Sequence, residues 1–125
     1  YNSTIHDNSS SGLVAVNPTK VRVTNSILAR NGESNCSFYG PASDNLLSGG
    51  YNVSDDDTCG LTATGDMSNT NPLLATELVD GVEQTTHHLT SISPAVDAIG
   101  TQTGPAGDMD SVSRPQSAHC DIGAS

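Results

Sequence analysis

The sequence predicts an all-β chain, the end of a parallel β-helix (solenoid) closed by an irregular C-terminal cap, with very little helix. Three observations predict it. A motif returns at a fixed distance: Asn2-Ser3-Thr4-Ile5-His6-Asp7-Asn8 is matched by Asn25-Ser26-Ile27-Leu28-Ala29-Arg30-Asn31, an offset of 23 (25 − 2). That length suits one turn of a three-sided β-helix. The apolar residues come in short β-branched runs separated by turn residues, which is how strands are punctuated. Only 34% of the 125 residues are hydrophobic, and the aromatics are Tyr1, Phe38, Tyr39 and Tyr51. Such a chain can fill the thin core of an elongated fold more readily than that of a compact one.

Each element follows from local pattern. In Lys20-Val21-Arg22-Val23-Thr24 the valines share one face and the polar residues the other, the period of a half-buried strand. Leu13-Val14-Ala15-Val16 is a second strand, stopped by the turn-favouring Asn17-Pro18. A third, weaker repeat is Gly50-Tyr51-Asn52-Val53-Ser54, at an offset of 25 if Val53 follows Leu28 (53 − 28). The inward residues expected from these units are Val14, Val16, Val21, Val23, Ile27 and Val53. Recurrent asparagines such as Asn8 and Asn31 tolerate left-handed backbone and can stack as amide ladders. Residues 40–50 are rich in turn formers, and residues 62–72 read as a polar loop. Leu73-Leu74-Ala75-Thr76-Glu77-Leu78 reads as a short strand or one helical turn, and residues 100–107 as a Gly- and Pro-containing loop. The organisation expected is one continuous domain, with the last coils in residues 1–59 and a capping segment in 60–125. The chain opens on Tyr1 without a visible signal peptide, so its export signal and upstream coils are expected to lie outside it.

Cys36 and Cys59 are 23 residues apart, one coil. Stacked strands lie about 4.8 Å apart, and a disulfide accepts Cα separations of roughly 4.4–6.8 Å. A structural bridge between them is therefore expected, with buried free thiols as the alternative. A bridge would place the chain in an oxidising, extracytoplasmic setting. Cys120 is left without a partner.

The charge excludes some classes of function. With 14 acidic and 4 basic residues the net charge is −10, and Lys20, Arg22, Arg30 and Arg114 form no dense patch. Phosphate contacts dominate nucleic-acid affinity, so no nucleic-acid partner is expected. Anionic lipid surfaces are disfavoured equally, and no run approaches the roughly 18 apolar residues of a membrane helix.

Taken in order, Asn35-Cys36-Ser37, Gly50-Tyr51-Asn52-Val53, Asp57-Thr58-Cys59-Gly60-Leu61, Asn71-Pro72-Leu73-Leu74, Thr86-His87, Ser93-Pro94-Ala95-Val96-Asp97-Ala98, Arg114-Pro115-Gln116 and Cys120-Asp121-Ile122-Gly123-Ala124 resemble the choice-of-anchor Q domain proteins. The resemblance runs from about residue 24 to the end of the chain. It implies a right-handed parallel β-helix in a bacterial surface or secreted protein, followed by an interchangeable sorting signal, and no established reaction. The sequence departs from the family at Asp80-Gly81-Val82-Glu83, where the family often has Asp-Asn-Gly-Gly. It departs again at Gly107-Asp108-Met109-Asp110-Ser111, where the family often has a cysteine and an Asp-Gln-Arg-Gly stretch.

Candidate chemistry is sparse. Asp55, Asp56 and Asp57 form an acidic turn, the one place suited to calcium, although consecutive residues on a strand alternate faces rather than converge. No other cofactor is expected. His87 and His88 are adjacent for the same reason and cannot readily share one ion, and H-E-x-x-H is absent. His87 reads as a hydrogen-bonded structural residue. Asp97 and Asp121 sit in apolar runs, and a buried carboxylate must be bonded, so both read as acceptors for turn amides. There is no G-x-S-x-G elbow and no calcium-binding glycine-rich nonapeptide. Asn2, Asn8, Asn35 and Asn52 begin N-x-[ST] sequons but read as turn residues.

The function expected is a non-catalytic, stalk- or adhesin-like segment at the cell surface. Its expected partners are carbohydrate or host- or cell-surface ligands and the upstream coils of its own chain. The alternatives are the C-terminal cap of a carbohydrate-active β-helix enzyme, pectate lyase-like or a glycoside hydrolase, and a calcium-stabilised binding module.

Overall fold

The computed structural model describes residues 1–16, 20–79, 82–100, 107, 113, 115 and 119–123. The expected turn at Asn17-Pro18, most of the loop 100–107, and Arg114, Gln116 and Ala124 lie outside these residues. The strands are β1 (Thr4–His6), β2 (Leu13–Ala15), β3 (Val21–Val23), β4 (Ile27–Ala29), β5 (Cys36–Phe38), β6 (Leu46–Ser48), β7 (Val53–Ser54), β8 (Leu74–Val79) and β9 (Val82–Leu89). Among the described residues the one helix is α1 (Ala42–Asn45), so the chain is all-β.

Among the first seven strands, β1, β2, β3 and β4 each pair in parallel with the strand three further on. β1, β4 and β7 form a three-stranded sheet, and β2–β5 and β3–β6 form two-stranded ones. Thr4 faces Ile27 and Leu13 faces Cys36, both at an offset of 23 (27 − 4, 36 − 13). Val21 faces Leu46 at 25 (46 − 21), and Ile27 faces Val53 at 26 (53 − 27). The Asn-Ser-x-Ile repeat thus marks the first ladder in register. The third unit is one residue out: Val53 stacks on Ile27, not Leu28. The reason lies in the corner before the strand, where Asn2, Asn25 and Tyr51 all adopt left-handed backbone (φ 49°, 53° and 55°) and stack in one column. Holding Tyr51 over Asn25 fixes the offset at 26 (51 − 25). The corner after the strand is also left-handed, at Asp7 and Arg30. That is one residue before the expected Asn8 and Asn31, which instead form an amide ladder (Asn8 Nδ2 to Asn31 Oδ1, 2.7 Å).

Length changes fall at two corners, two residues between β5 and β6 and one between β6 and β7. Ala15 and Val21 are 6 apart (21 − 15), whereas their stacked counterparts Phe38 and Leu46 are 8 apart (46 − 38), and α1 occupies the extra length. Fully buried Asn45 holds it, donating from Nδ2 to the Pro41 carbonyl at 2.9 Å. Residues 40–50, rich in turn formers, thus hold a short helix and a strand.

Two cores lie on opposite faces of β4. Leu28 points among the three rows of strands, with Val23, Cys36, Leu46, Cys59 and Leu61, and with Ile5, Leu13, Val21 and Phe38 at its edge. Ile27 and Ala29 point the other way, with Val53, against Ala95, Ile99, Cys120 and Ile122. Ile27 and Val53 are fully buried, but beneath the C-terminal stretch rather than inside the stack. Val14 and Val16 are exposed at 63% and 70%, and Leu13 and Ala15 of that strand turn inward instead. All four residues are apolar, so alternation alone leaves the phase undecided. The ladder to Cys36 and Phe38 selects it.

Beyond β7 the chain takes a short third level. Tyr51 N–H donates to Thr64 and Met67 N–H to Asn52, and Val53 bridges Met67 in parallel. Cys59 and Leu61 close the inner core from this side. Thr64 and Met67 pair beyond β7, while Ala95–Ile99 and Cys120–Gly123 pack against the outer face of β4. β8 and β9 form an antiparallel hairpin in which Val79 faces Val82.

Candidate functional site

Side chains on the outer face of β1 meet β9. Ile5 points inward, so Thr4 and His6 point out. His6 lies under the hairpin with its side chain only 4% exposed. Its ring centroid is 4.3 Å from that of His87, tilted by 55°. Asp7 stands at the left-handed corner and turns its carboxylate to both rings: Oδ2 is 3.0 Å from His6 Nδ1 and 3.5 Å from His87 Nε2. The other oxygen, Oδ1, is 3.5 Å from Arg30 Nε. Neither ring nitrogen of His6 makes a hydrogen bond with a described residue. Burial pushes the His6 imidazole below its ordinary pKa; Asp7 pulls it up, and His87 and Arg30 push it down further. Sequence reasoning placed His87 alone and did not single out His6 or Asp7. The two histidines are 81 residues apart (87 − 6), and the antiparallel hairpin that joins them is foreshadowed only by Asp80-Gly81, a strong hairpin dipeptide. His88 faces Ala75 on the neighbouring strand.

The other candidate residues are spent on backbone. Asp55 Oδ2 accepts from Arg30 N–H at 3.0 Å, and Oδ1 from Asn35 Nδ2 at 2.6 Å. Asp56 Oδ2 accepts from Asn35 N–H at 2.8 Å, and Oδ1 from Thr58 N–H and Thr58 Oγ1. Thr58 Oγ1 in turn accepts from Cys36 N–H at 3.0 Å. These side chains stand in for strand partners that the shortened third level does not supply, satisfying donors that would otherwise cost free energy. Asp57 is exposed and contributes its carbonyl to Gly60. Both carboxylates meet at Asn35, Asp55 at its Nδ2 and Asp56 at its N–H, so the acidic turn expected to suit calcium is engaged with the chain's own donors. Burial works to raise the Asp56 pKa, but the hydrogen bonds from Asn35, Thr58 and Ser54 outweigh it and hold the carboxyl below its ordinary value.

Asp66, which no motif announced, does the same for the other side of the level. Its Oδ1 accepts from Asn52 N–H and Nδ2, and its Oδ2 from Ser48 Oγ and Ala63 N–H. Asp121 Oδ1 accepts from Asp97 N–H at 2.6 Å, and Asp97 Oδ1 accepts from His119 N–H at 3.2 Å. The two aspartates tie the flanking stretch to itself around the left-handed Asp97.

Cys36 and Cys59 form a disulfide with Cα atoms 4.9 Å apart. Leu13, Cys36 and Cys59 follow one another at 23 residues, so the bridge links the second level to the third. Cys120 is a buried free thiol. At the C-terminal ends of β2 and β5 a shallow apolar groove of about 200 Å³ is lined by Val14, Ala15, Val16, Ser37, Phe38 and Tyr39. No described helix is long and apolar enough to cross a membrane. Comparison with protein families, with curated proteins and with solved structures finds no match to this chain.

Proposed function

We propose that the chain is the C-terminal end of a right-handed parallel β-helix in a bacterial surface or secreted protein, a non-catalytic stalk- or adhesin-like segment of the kind the choice-of-anchor Q resemblance implies. The observation that carries this reading is the parallel pairing of β1, β2, β3 and β4 each with the strand three further on, at an offset of 23 in two of the four pairs and of 25 and 26 in the others. Parallel connections of this type are nearly always right-handed. The stack is finished asymmetrically, which supports a terminal position. On the far side, side-chain oxygens of Asp55, Asp56, Thr58 and Asp66 satisfy the backbone amides of the level beneath. On the near side, β1, β2 and β3 each pair along one edge among the described residues. Upstream coils of the same chain are the partner proposed for these edges, since an exposed strand edge recruits another strand.

The Cys36–Cys59 disulfide supports an extracytoplasmic location, where such bonds persist. The acidic surface suits a soluble projection, and carbohydrate or host- or cell-surface ligands are the partners proposed for it. The test is surface labelling of intact source cells by a membrane-impermeant reagent, with thiol trapping in the same sample. Labelled protein with Cys36 and Cys59 oxidised is the expected result. Protein that is protected from the reagent, with both thiols free, would refute the proposal.

A further inference from the structure

We propose that His6, Asp7 and His87 form a binding site for a divalent transition-metal ion of the zinc class, held by two imidazole nitrogens and one carboxylate oxygen, with a fourth coordination position open. One ligand atom from each residue lies within 4.8 Å of the other two. Zinc takes nitrogen and oxygen ligands at about 2.0–2.2 Å, which sets ligand atoms on a tetrahedron about 3.4 Å apart. The measured separations of 3.0 Å (His6 Nδ1 to Asp7 Oδ2) and 3.5 Å (His87 Nε2 to Asp7 Oδ2) bracket that value.

A second observation points to a ligand independently of this clustering. The His6 side chain is almost wholly buried, yet neither of its ring nitrogens has a hydrogen-bond partner among the described residues. Asp7 Oδ2 faces Nδ1 as an ion pair at 3.0 Å; an imidazole buried without a hydrogen bond at either nitrogen is still costly, and a metal ion on Nδ1 would supply one of the missing interactions. The second shell is present as well. Arg30 stands 3.5 Å from Asp7 Oδ1 and so orients the carboxylate with Oδ2 toward the rings. Its positive charge works against the cation, and the two neutral imidazole donors work for it. Two imidazoles and one carboxylate favour zinc, copper or nickel over calcium or magnesium.

The ligands come from β1 and β9, so an ion here would pin the hairpin to the outer face of the first sheet. This inference does not depend on the extracellular reading.

The experiment is titration of the metal-free full chain with zinc by calorimetry, and with cobalt(II) by its visible absorption. Three variants are compared: Asp7→Asn, His87→Gln and His88→Gln. Asn tolerates the left-handed corner at position 7, and far-UV circular dichroism establishes that each variant is folded. The expected result is one ion per chain with a tetrahedral cobalt spectrum. Affinity should fall about tenfold or more in Asp7→Asn and His87→Gln and stay unchanged in His88→Gln. Absence of saturable binding to the parent chain would overturn the site. So would equal affinity in the parent, Asp7→Asn and His87→Gln, because the ion would then sit elsewhere.

Discussion

Replacing both bridged cysteines with alanine tests whether the third level is stacked on the second. The disulfide closes a loop of 23 residues between Cys36 and Cys59. In the chain-entropy description, opening that loop returns about 11 cal/mol/K to the unfolded chain, or about 3.4 kcal/mol at 25 °C. Both sulfurs are buried in the inner core, and each truncation removes apolar volume on the scale of one methylene, about 0.8 kcal/mol. Cys36→Ala/Cys59→Ala should therefore lose about 5 kcal/mol. The assay is guanidinium unfolding followed by circular dichroism, beside thermal unfolding in which a domain of this size loses about 4 °C per kcal/mol. A midpoint about 20 °C lower is expected on that basis. Parent protein in strong reductant should recover most of the same loss, since it shares the opened loop but keeps its sulfurs. A loss under about 1 kcal/mol, against the 2–5 typical of a native disulfide, would refute the reasoning, because the bridge would then join segments already held together in the unfolded chain.

Leu28 is fully buried inside the stack, so Leu28→Ala should cost about 2–5 kcal/mol in denaturant unfolding. Val14→Ser should change stability by less than about 0.5 kcal/mol, as expected of an exposed position, whereas Val23→Ser in the inner core should cost more than about 1 kcal/mol. The opposite order would reverse the inward faces assigned to β2 and β3. Asp56 has a lowered folded pKa, so its contribution is present above the ordinary carboxylate value of 3.8 and is lost as the pH falls through its folded value. Asp56→Asn should accordingly be less stable than the parent at neutral pH, with the gap narrowing in an acid titration below about pH 4. Zinc at a hundred times its dissociation constant should stabilise the chain by about 2.7 kcal/mol in thermal unfolding, an effect absent from His87→Gln.

The fold was legible where the sequence repeats or alternates between unlike residues. Asn2 and Asn25 sit at equivalent left-handed corners, and that chemistry is why the motif could be read at all. Arg22 between two valines fixes the phase of β3. Phase was lost in Leu13-Val14-Ala15-Val16, where nothing polar breaks the symmetry. It was lost again at β4, because Ile27 and Leu28 are both apolar and both buried, on opposite faces. The outer core could not be foreseen, since it depends on Ala95, Ile99, Cys120 and Ile122 returning across the sheet. The same long return hides the His6–Asp7–His87 group: His6 and Asp7 belong to a repeat whose next copy reads Ala29-Arg30. Within that repeat the pair looks like ordinary variation. Acidic density at Asp55 and Asp56 is visible in a sequence, whereas the amides they satisfy are not.

The corner between β5 and β6 admits extra residues while the strands on either side keep their register. Backbone length and strand pairing are thus decoupled at Tyr39–Asn45. A peptide grafted there, in place of or beyond the short helix, should be carried on the outside of the column as cargo, with the ladders beneath it undisturbed. Sequence added at this bend should alter what the surface offers to its surroundings without renegotiating the interior.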